Sequence, residues 1–174
     1  MKRGLFVGRF QPFHKGHLEA VKYILERVDE IIIAVGSSQY SHGLDDPFTA
    51  GERIVMIRRS LMDEGISPSR FWILPVPDLN VHMLWVSQVL GYTPKFDVVY
   101  SNEPLTRTLF IEAGFKVESI PLFNRKVYSA TEVRRRMLKG EDWRVLVPKA
   151  VAESIIEFGG VDRIRSLAKS DKPT

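Results

Sequence analysis

Two histidines bracket a lysine and a glycine at His14-Lys15-Gly16-His17, directly after the apolar run Leu5-Phe6-Val7 and the tight loop Gly8–Phe13. Two imidazoles at a strand-to-helix junction can donate hydrogen bonds to an oxyanion as charge builds on it, and need no metal to do so. Far along the chain stands a second cluster, Ser129-Ala130-Thr131-Glu132-Val133-Arg134. Its hydroxyls and helix-start amides suit phosphate, and Arg134 lies about one turn past Thr131 on the same face. Taken singly, each cluster has a plain reading: a histidine or a serine capping a helix. Taken together they describe a site for the phosphates of a nucleotide.

Other residues fall in with this pair. Gly8, Arg9 and Phe10 form the loop before the histidines. Arg9 could reach phosphate or be an ordinary surface arginine, and Gly16 would let ligand and backbone approach closely. Thr49-Ala50-Gly51-Glu52-Arg53 reads first as a well-formed helix start, with phosphate binding by Arg53 the lesser alternative. Asp45 and Asp46 read as loop carboxylates, and Arg135 and Arg136 as a solvated basic face. Trp85, with Asp78, Asn80 and His82 nearby, suits an aromatic shelf for a flat heterocycle, with a core tryptophan the plainer alternative. Trp72 and Trp143 read as core or packing residues.

Several chemistries are excluded. The chain has no cysteine, hence no disulfide, thiolate metal site or cysteine nucleophile. The remaining histidines, His42 and His82, follow no metal-ligand spacing. Neither Gly-x-x-x-x-Gly-Lys-[Ser/Thr] nor Gly-x-Gly-x-x-Gly occurs.

The elements that must position these residues alternate. Apolar runs predict strands at Leu5–Gly8, Glu30–Gly36, Phe71–Val76, Phe96–Tyr100 and Phe115–Ile120. Helical spacing predicts helices over 16–28 and 49–64, one that follows the lead-in 78–80 and runs to about 90, and one over 103–112. Thr49 and Glu52 predict a capping box. After the fifth strand only helices are expected, over 130–138, 143–146, 148–158 and 161–167, with Pro148 at the first position of its helix and Ser170–Thr174 frayed. The fold class is therefore α/β, a doubly wound parallel five-stranded sheet with a C-terminal helical extension. A single domain over 1–174 is expected: a sheet core over 1–125, then helices over 126–170 carrying Ser129, Thr131 and Arg134.

The 174 residues suffice for one core, and the net charge of +4 with a pI near 9.4 fits anionic ligands or a merely charged surface. Basic residues are dispersed, which argues against nucleic acid. No stretch is long enough to span a membrane, and the N-terminal apolar run is too short for a secretory signal. A cytoplasmic protein is expected.

Gly8-Arg9-Phe10-Gln11-Pro12-Phe13-His14-Lys15-Gly16-His17 and Tyr128-Ser129-Ala130-Thr131-Glu132-Val133-Arg134 resemble the two signatures of the HxGH nucleotidylyltransferase superfamily. Pro47–Arg53, Asp78–Trp85 and Tyr128–Met137 are similar to the archaeal type of nicotinamide-nucleotide adenylyltransferase, and the likeness runs nearly end to end. It implies a Rossmann-like fold and adenylyl transfer from ATP to nicotinamide mononucleotide (NMN), giving NAD and pyrophosphate. It implies Mg²⁺ bound mainly through ATP phosphates, and a homo-oligomer, a hexamer. His14, His17 and Arg134 would be catalytic; Gly8, Arg9, Phe10, Gly16, Ser129 and Thr131 would bind ATP; Asp78 and Trp85 would bind NMN. Attack would be in line, without a covalent enzyme intermediate. Two departures touch the mononucleotide side: Ser101-Asn102-Glu103-Pro104 stands where relatives often have Ser-Gly-Asn-Pro, and His82 where Asn is common. Rival readings are the same fold with pantetheine phosphate, FMN or a cytidylyl transfer, and a catalytically silent nucleotide sensor or nucleic-acid module.

Overall fold

The computed structural model describes residues 1–169; the expected frayed tail at Ser170–Thr174 lies outside them. Five strands form one parallel sheet: β1 (Arg3–Gly8), β2 (Glu30–Val35), β3 (Phe71–Pro75), β4 (Val98–Tyr100) and β5 (Lys116–Glu118), in the order β3-β2-β1-β4-β5. The near-uniform apolar strands are uniform because both faces are covered. On β2, Ile31, Ile33 and Val35 enter one core while Ile32 and Ala34 enter the other.

The strand order reverses between β1 and β4. A crevice therefore opens at the carboxyl ends of those strands, where ligands of open α/β sheets bind. The helices are α1 (Lys15–Leu25), α2 (Ala50–Asp63), α3 (Trp85–Tyr92), α4 (Pro104–Glu112), α5 (Ala130–Lys139), α6 (Lys149–Glu157) and α7 (Gly160–Leu167), and the first turns of α1, α4 and α5 border the crevice. The larger core takes Phe6, Ile24 and Met56 together with Val133, Met137, Val151 and Ile164, so the C-terminal helices pack on the sheet-side helices. Thr49 and Glu52 form the expected capping box, and Glu52 also pairs with Arg163 at 2.6 Å, tying α2 to α7.

Three expectations are corrected. Pro148 is the N-cap of α6, one residue ahead of the first helical position, because its ψ of 149° is still extended. The helix expected over 143–146 is a short 3₁₀ turn at Arg144–Leu146, whereas Asp78–Asn80 does lead into a helix as expected, through the 3₁₀ turn His82–Leu84 and then α3. Trp72 is 42% exposed on the edge strand β3, its indole N–H donating to Glu30, so it is no core residue.

Candidate active site

His14 is the N-cap of α1 and His17 is its third residue. The His14 Nδ1 accepts the amide of His17 at 3.3 Å, and the His17 Nδ1 accepts the amide of His14 at 3.2 Å. This is a capping box in which both side chains are imidazoles. It has a chemical consequence: a nitrogen that accepts an N–H carries no proton, so both rings hold their proton on Nε2. The rings stack 3.6 Å apart, and His17 packs against Phe10 and Phe13. Burial pulls the His14 pKa down to about 4, and burial followed by repulsion from His14 pulls that of His17 well below its ordinary value. At neutral pH the pair is therefore two uncharged Nε2–H donors. Both line a cleft of about 660 Å³.

A Cβ at Gly16 would stand 3.0 Å from the His14 ring and 3.3 Å from Tyr128, so the glycine makes room for the imidazole as well as lining the cleft. Gly8, the last residue of β1, lies under Phe10, whose ring a Cβ would meet at 2.8 Å.

The second cluster reaches the same cleft. Ser129 caps α5, its hydroxyl accepting the Glu132 amide at 3.1 Å. Arg9, Phe10, Gly16, Ser129, Ala130 and Arg134 line the cleft with the histidines. Thr131 is not in that lining: it is exposed, although Arg134, one turn on, is buried. Arg134 donates to the Gln11 carbonyl at 2.9 Å and lies 3.7 Å from Asp45. Arg9 lies 3.3 Å from Asp46. The two loop carboxylates thus face the two arginines best placed for phosphate.

A smaller cavity of about 500 Å³ adjoins the first; Arg9 and Glu103 line both. Asp78, Asn80, His82 and Trp85 line the smaller one, so the segment read as a shelf for a heterocycle does form a wall. Trp85 packs edge-on against Phe110, ring centres 5.6 Å apart. The Asp78 carboxylate accepts the Ser37 hydroxyl at 2.5 Å and the Ser37 amide at 3.3 Å. Glu103 caps α4, accepting the amides of Leu105 and Thr106 at 3.1 and 2.6 Å. Burial raises its pKa, but the two amides more than offset this and hold it below the usual carboxylate value. Asn102 instead bridges the ends of β4 and β5, its side chain pairing with the Ile120 carbonyl at 2.6 Å and amide at 2.9 Å.

The framework role of two residues carried no signal in the sequence. Gln11 is buried and exchanges two 2.9 Å hydrogen bonds with the backbone of Phe48. Arg53 is fully buried and donates to the carbonyls of Arg9, Gly36, Ser37 and Thr49 at 2.8–3.2 Å. It holds the loops after β1 and β2 from beneath, and its donors face backbone rather than phosphate. Burial pulls its pKa down to about 10, so it stays charged. Tyr128 and Arg125 complete the cleft wall.

Comparison with known proteins places the chain in a family. Residues 5–136 match the family model described as cytidylyltransferase-like. The nicotinamide-nucleotide adenylyltransferase of Saccharolobus solfataricus is 52% identical over 172 residues, covering 99% of this chain and all of that protein. That of Pyrococcus furiosus is 52% identical over 169 residues, 97% of this chain and 90% of the relative. In fold, the bifunctional NMN adenylyltransferase/ADP ribose pyrophosphatase of Francisella tularensis superposes with a TM-score of 0.78 at 19% identity, covering 95% of this chain and 52% of that one. On this sequence likeness, carried nearly end to end, the chain belongs to the cytidylyltransferase-like family, among its nicotinamide-nucleotide adenylyltransferases.

Proposed function

We propose that the protein condenses ATP with NMN to give NAD and pyrophosphate, by direct in-line attack of the NMN phosphate on the α-phosphorus. The observation that carries this reading is the reciprocal histidine cap. With each Nδ1 occupied by a backbone amide, the two rings would offer neutral Nε2–H donors to the cleft they line together with Arg9, Arg134 and the start of α5. A phosphate nucleophile is already ionised and needs no general base. The work left to the protein is alignment and stabilisation of charge on the transferred group. His14 and His17 would hold the α-phosphate and bridging oxygens. Arg134, the Ser129 end of α5 and Arg9 would hold the leaving pyrophosphate. The adjoining cavity would take the nicotinamide ring against Trp85, with Asp78 within the wall to accept an amide N–H.

No group of three or more His, Cys, Asp or Glu placed to hold a metal exists among the described residues. The cleft's own groups are chiefly donors, so a Mg²⁺ ion would be held by triphosphate oxygens and water and would neutralise charge there.

The test is purified protein with ATP, Mg²⁺ and NMN, pantetheine phosphate or FMN, scored for pyrophosphate and dinucleotide. NMN should be turned over and the others should not. With ATP made chiral at the α-phosphorus, one in-line displacement inverts configuration; retention would require a covalent intermediate and overturn the mechanism.

A further inference from the structure

A chain of hydrogen bonds runs from the last helix to Arg134. Arg163 of α7 donates to the Pro47 carbonyl at 3.0 Å and, through both ends of its guanidinium, to Glu52 at 2.6 and 2.9 Å. Glu52 in turn accepts the Thr49 amide at 2.9 Å. The residues on either side of Phe48 are thus tied to α7 and α2. The Phe48 ring is fully buried, and a Cβ at Gly160, the first residue of α7, would meet it at 2.7 Å. The Phe48 backbone offers one N–H and one C=O, and the side-chain amide of Gln11 takes both at 2.9 Å. Gln11 stands in the loop between β1 and the histidines and is 2% exposed. Its own carbonyl accepts Nη1 of Arg134 at 2.9 Å. The other terminal nitrogen, Nη2, is the one that lies 3.7 Å from the exposed Asp45.

We infer that Gln11 is a positioning residue for triphosphate binding: its clamp on Phe48 fixes the peptide that holds Nη1 of Arg134, and so aims Nη2 at the cleft. Taken with the proposed reading of Arg134 as a ligand of the ATP phosphates, on which this inference rests, the anchor has a clear use. A long side chain ordered before its ligand arrives loses less freedom on binding, and affinity rises accordingly. A carbonyl is the right anchor for such an arginine. It occupies one N–H of the guanidinium without cancelling the charge that a phosphate must meet, whereas a carboxylate in that place would cancel it. Glutamine is the right clamp because its amide both donates and accepts. An ionised glutamate could only accept, and an apolar side chain would leave two buried backbone groups unpaired. Gln11 and Arg134 both line the histidine cleft, and neither they nor Phe48 lines the adjoining cavity. Loss of the clamp should therefore be felt at the ATP end of the reaction.

The experiment is a double-mutant cycle between Gln11 and Arg134, read as the Kd of a non-hydrolysable ATP analogue by calorimetric titration, with KM for ATP and for NMN alongside. Gln11→Met nearly keeps the side-chain volume and removes both bonds to Phe48. We expect it to raise Kd and KM for ATP by about five- to twentyfold, part of the effect of losing a charged hydrogen bond through misplacement of its donor. KM for NMN should stay within about twofold. In Arg134→Ala the same substitution should change Kd by less than about twofold, since no guanidinium is left to aim. Should Gln11→Met fold poorly, Arg163→Met carries the test from the outer end of the chain of bonds. Its expected rise of about two- to fivefold, the scale of a partly exposed ion pair, should likewise vanish in Arg134→Ala. A purely structural role for Gln11 would lower the active fraction, and with it binding stoichiometry and kcat, while leaving Kd and both KM values unchanged. That result would overturn the inference, as would a rise of equal size in Arg134→Ala or one shared by NMN. Failure of the unaltered protein to bind the analogue would remove the reading of the cleft and the inference with it.

Discussion

The histidine cap makes a prediction that separates folding from chemistry at one residue. Asparagine places an acceptor where the imidazole Nδ1 lies but nothing where Nε2 lies; glutamine does the reverse. His14→Asn should keep the bond from the His17 amide, now 3.3 Å to Nδ1, and lose the donor to phosphate. Removing one preorganised donor of this type typically costs 10²–10³ in rate, about 3–4 kcal/mol, so kcat should fall by that factor with little change in Tm at pH 7. His14→Gln should recover part of kcat but lose the cap, worth about 1 kcal/mol, or roughly 2–4 °C in a chain of this size. His17→Ala, which position at the helix start would mark as a change to chemistry alone, must also lower Tm, because the ring reciprocates the cap and packs between Phe10 and Phe13.

Acid supplies the second half of this test. Protonating Nδ1 of His14 points an N–H at the His17 amide and breaks the cap. The folded pKa, about 4, lies below the ordinary value of 6.5, so the unfolded chain takes the proton first. The stabilisation is fully present above pH 6.5 and is lost as pH falls to 4. The gap is worth about 3 kcal/mol for His14, or a Tm fall of roughly 6–12 °C across that window. His14→Asn cannot titrate and should show a markedly shallower slope over pH 4–6.5, the remainder coming from His17. Calorimetry across pH together with steady-state kinetics settles the matter. A His14→Asn enzyme with near-normal kcat, or with an undiminished acid slope, would refute the neutral-donor argument.

Arg134→Ala should weaken binding of a non-hydrolysable ATP analogue by about 10- to 100-fold, the scale of a charged hydrogen bond. Arg134→Lys should restore it only in part, since an ammonium cannot reproduce the planar guanidinium fork that donates to the Gln11 carbonyl while facing the cleft; calorimetric titration showing unchanged affinity in Arg134→Ala would remove Arg134 from the site. Trp85→Ala should raise KM for NMN much more than KM for ATP, and Trp85→Phe should recover most of the loss because an aromatic face remains; a defect confined to ATP would misplace the acceptor cavity. Asp45→Asn with Asp46→Asn should lower KM for ATP about two- to tenfold, because the nucleotide then need not displace the carboxylates 3.7 and 3.3 Å from Arg134 and Arg9. A rise in that KM would mean that the two aspartates serve the nucleotide instead of competing with it.

What could be read from the chain, and what could not, follows from the range of the interactions involved. The β2 strand and the Thr49–Glu52 capping box are signalled by residues within a few positions of one another, and both stand where expected. The histidine pair is local too, being a cap at the i and i+3 positions of one helix start. Its tautomer is equally local, since it follows from which backbone amides those two positions must satisfy. Arg53 is the opposite case. A helix of its composition puts an arginine on one face, but only the return of the loops after β1 and β2 over that face surrounds the guanidinium with carbonyls. Gln11 is hidden for the same reason, its partner Phe48 lying 37 residues away. Thr131 shows the limit within a single helix: its spacing from Arg134 suggests one face, yet α5 packs so that the arginine is buried and the threonine is left exposed. The groups that could meet phosphate were thus legible in the sequence. The groups that hold their loops still were not, because an arginine satisfied by distant backbone carbonyls and one waiting for a phosphate have the same sequence signature. Only burial distinguishes them: complete for Arg53 and its carbonyls, and open to the cleft for Arg134.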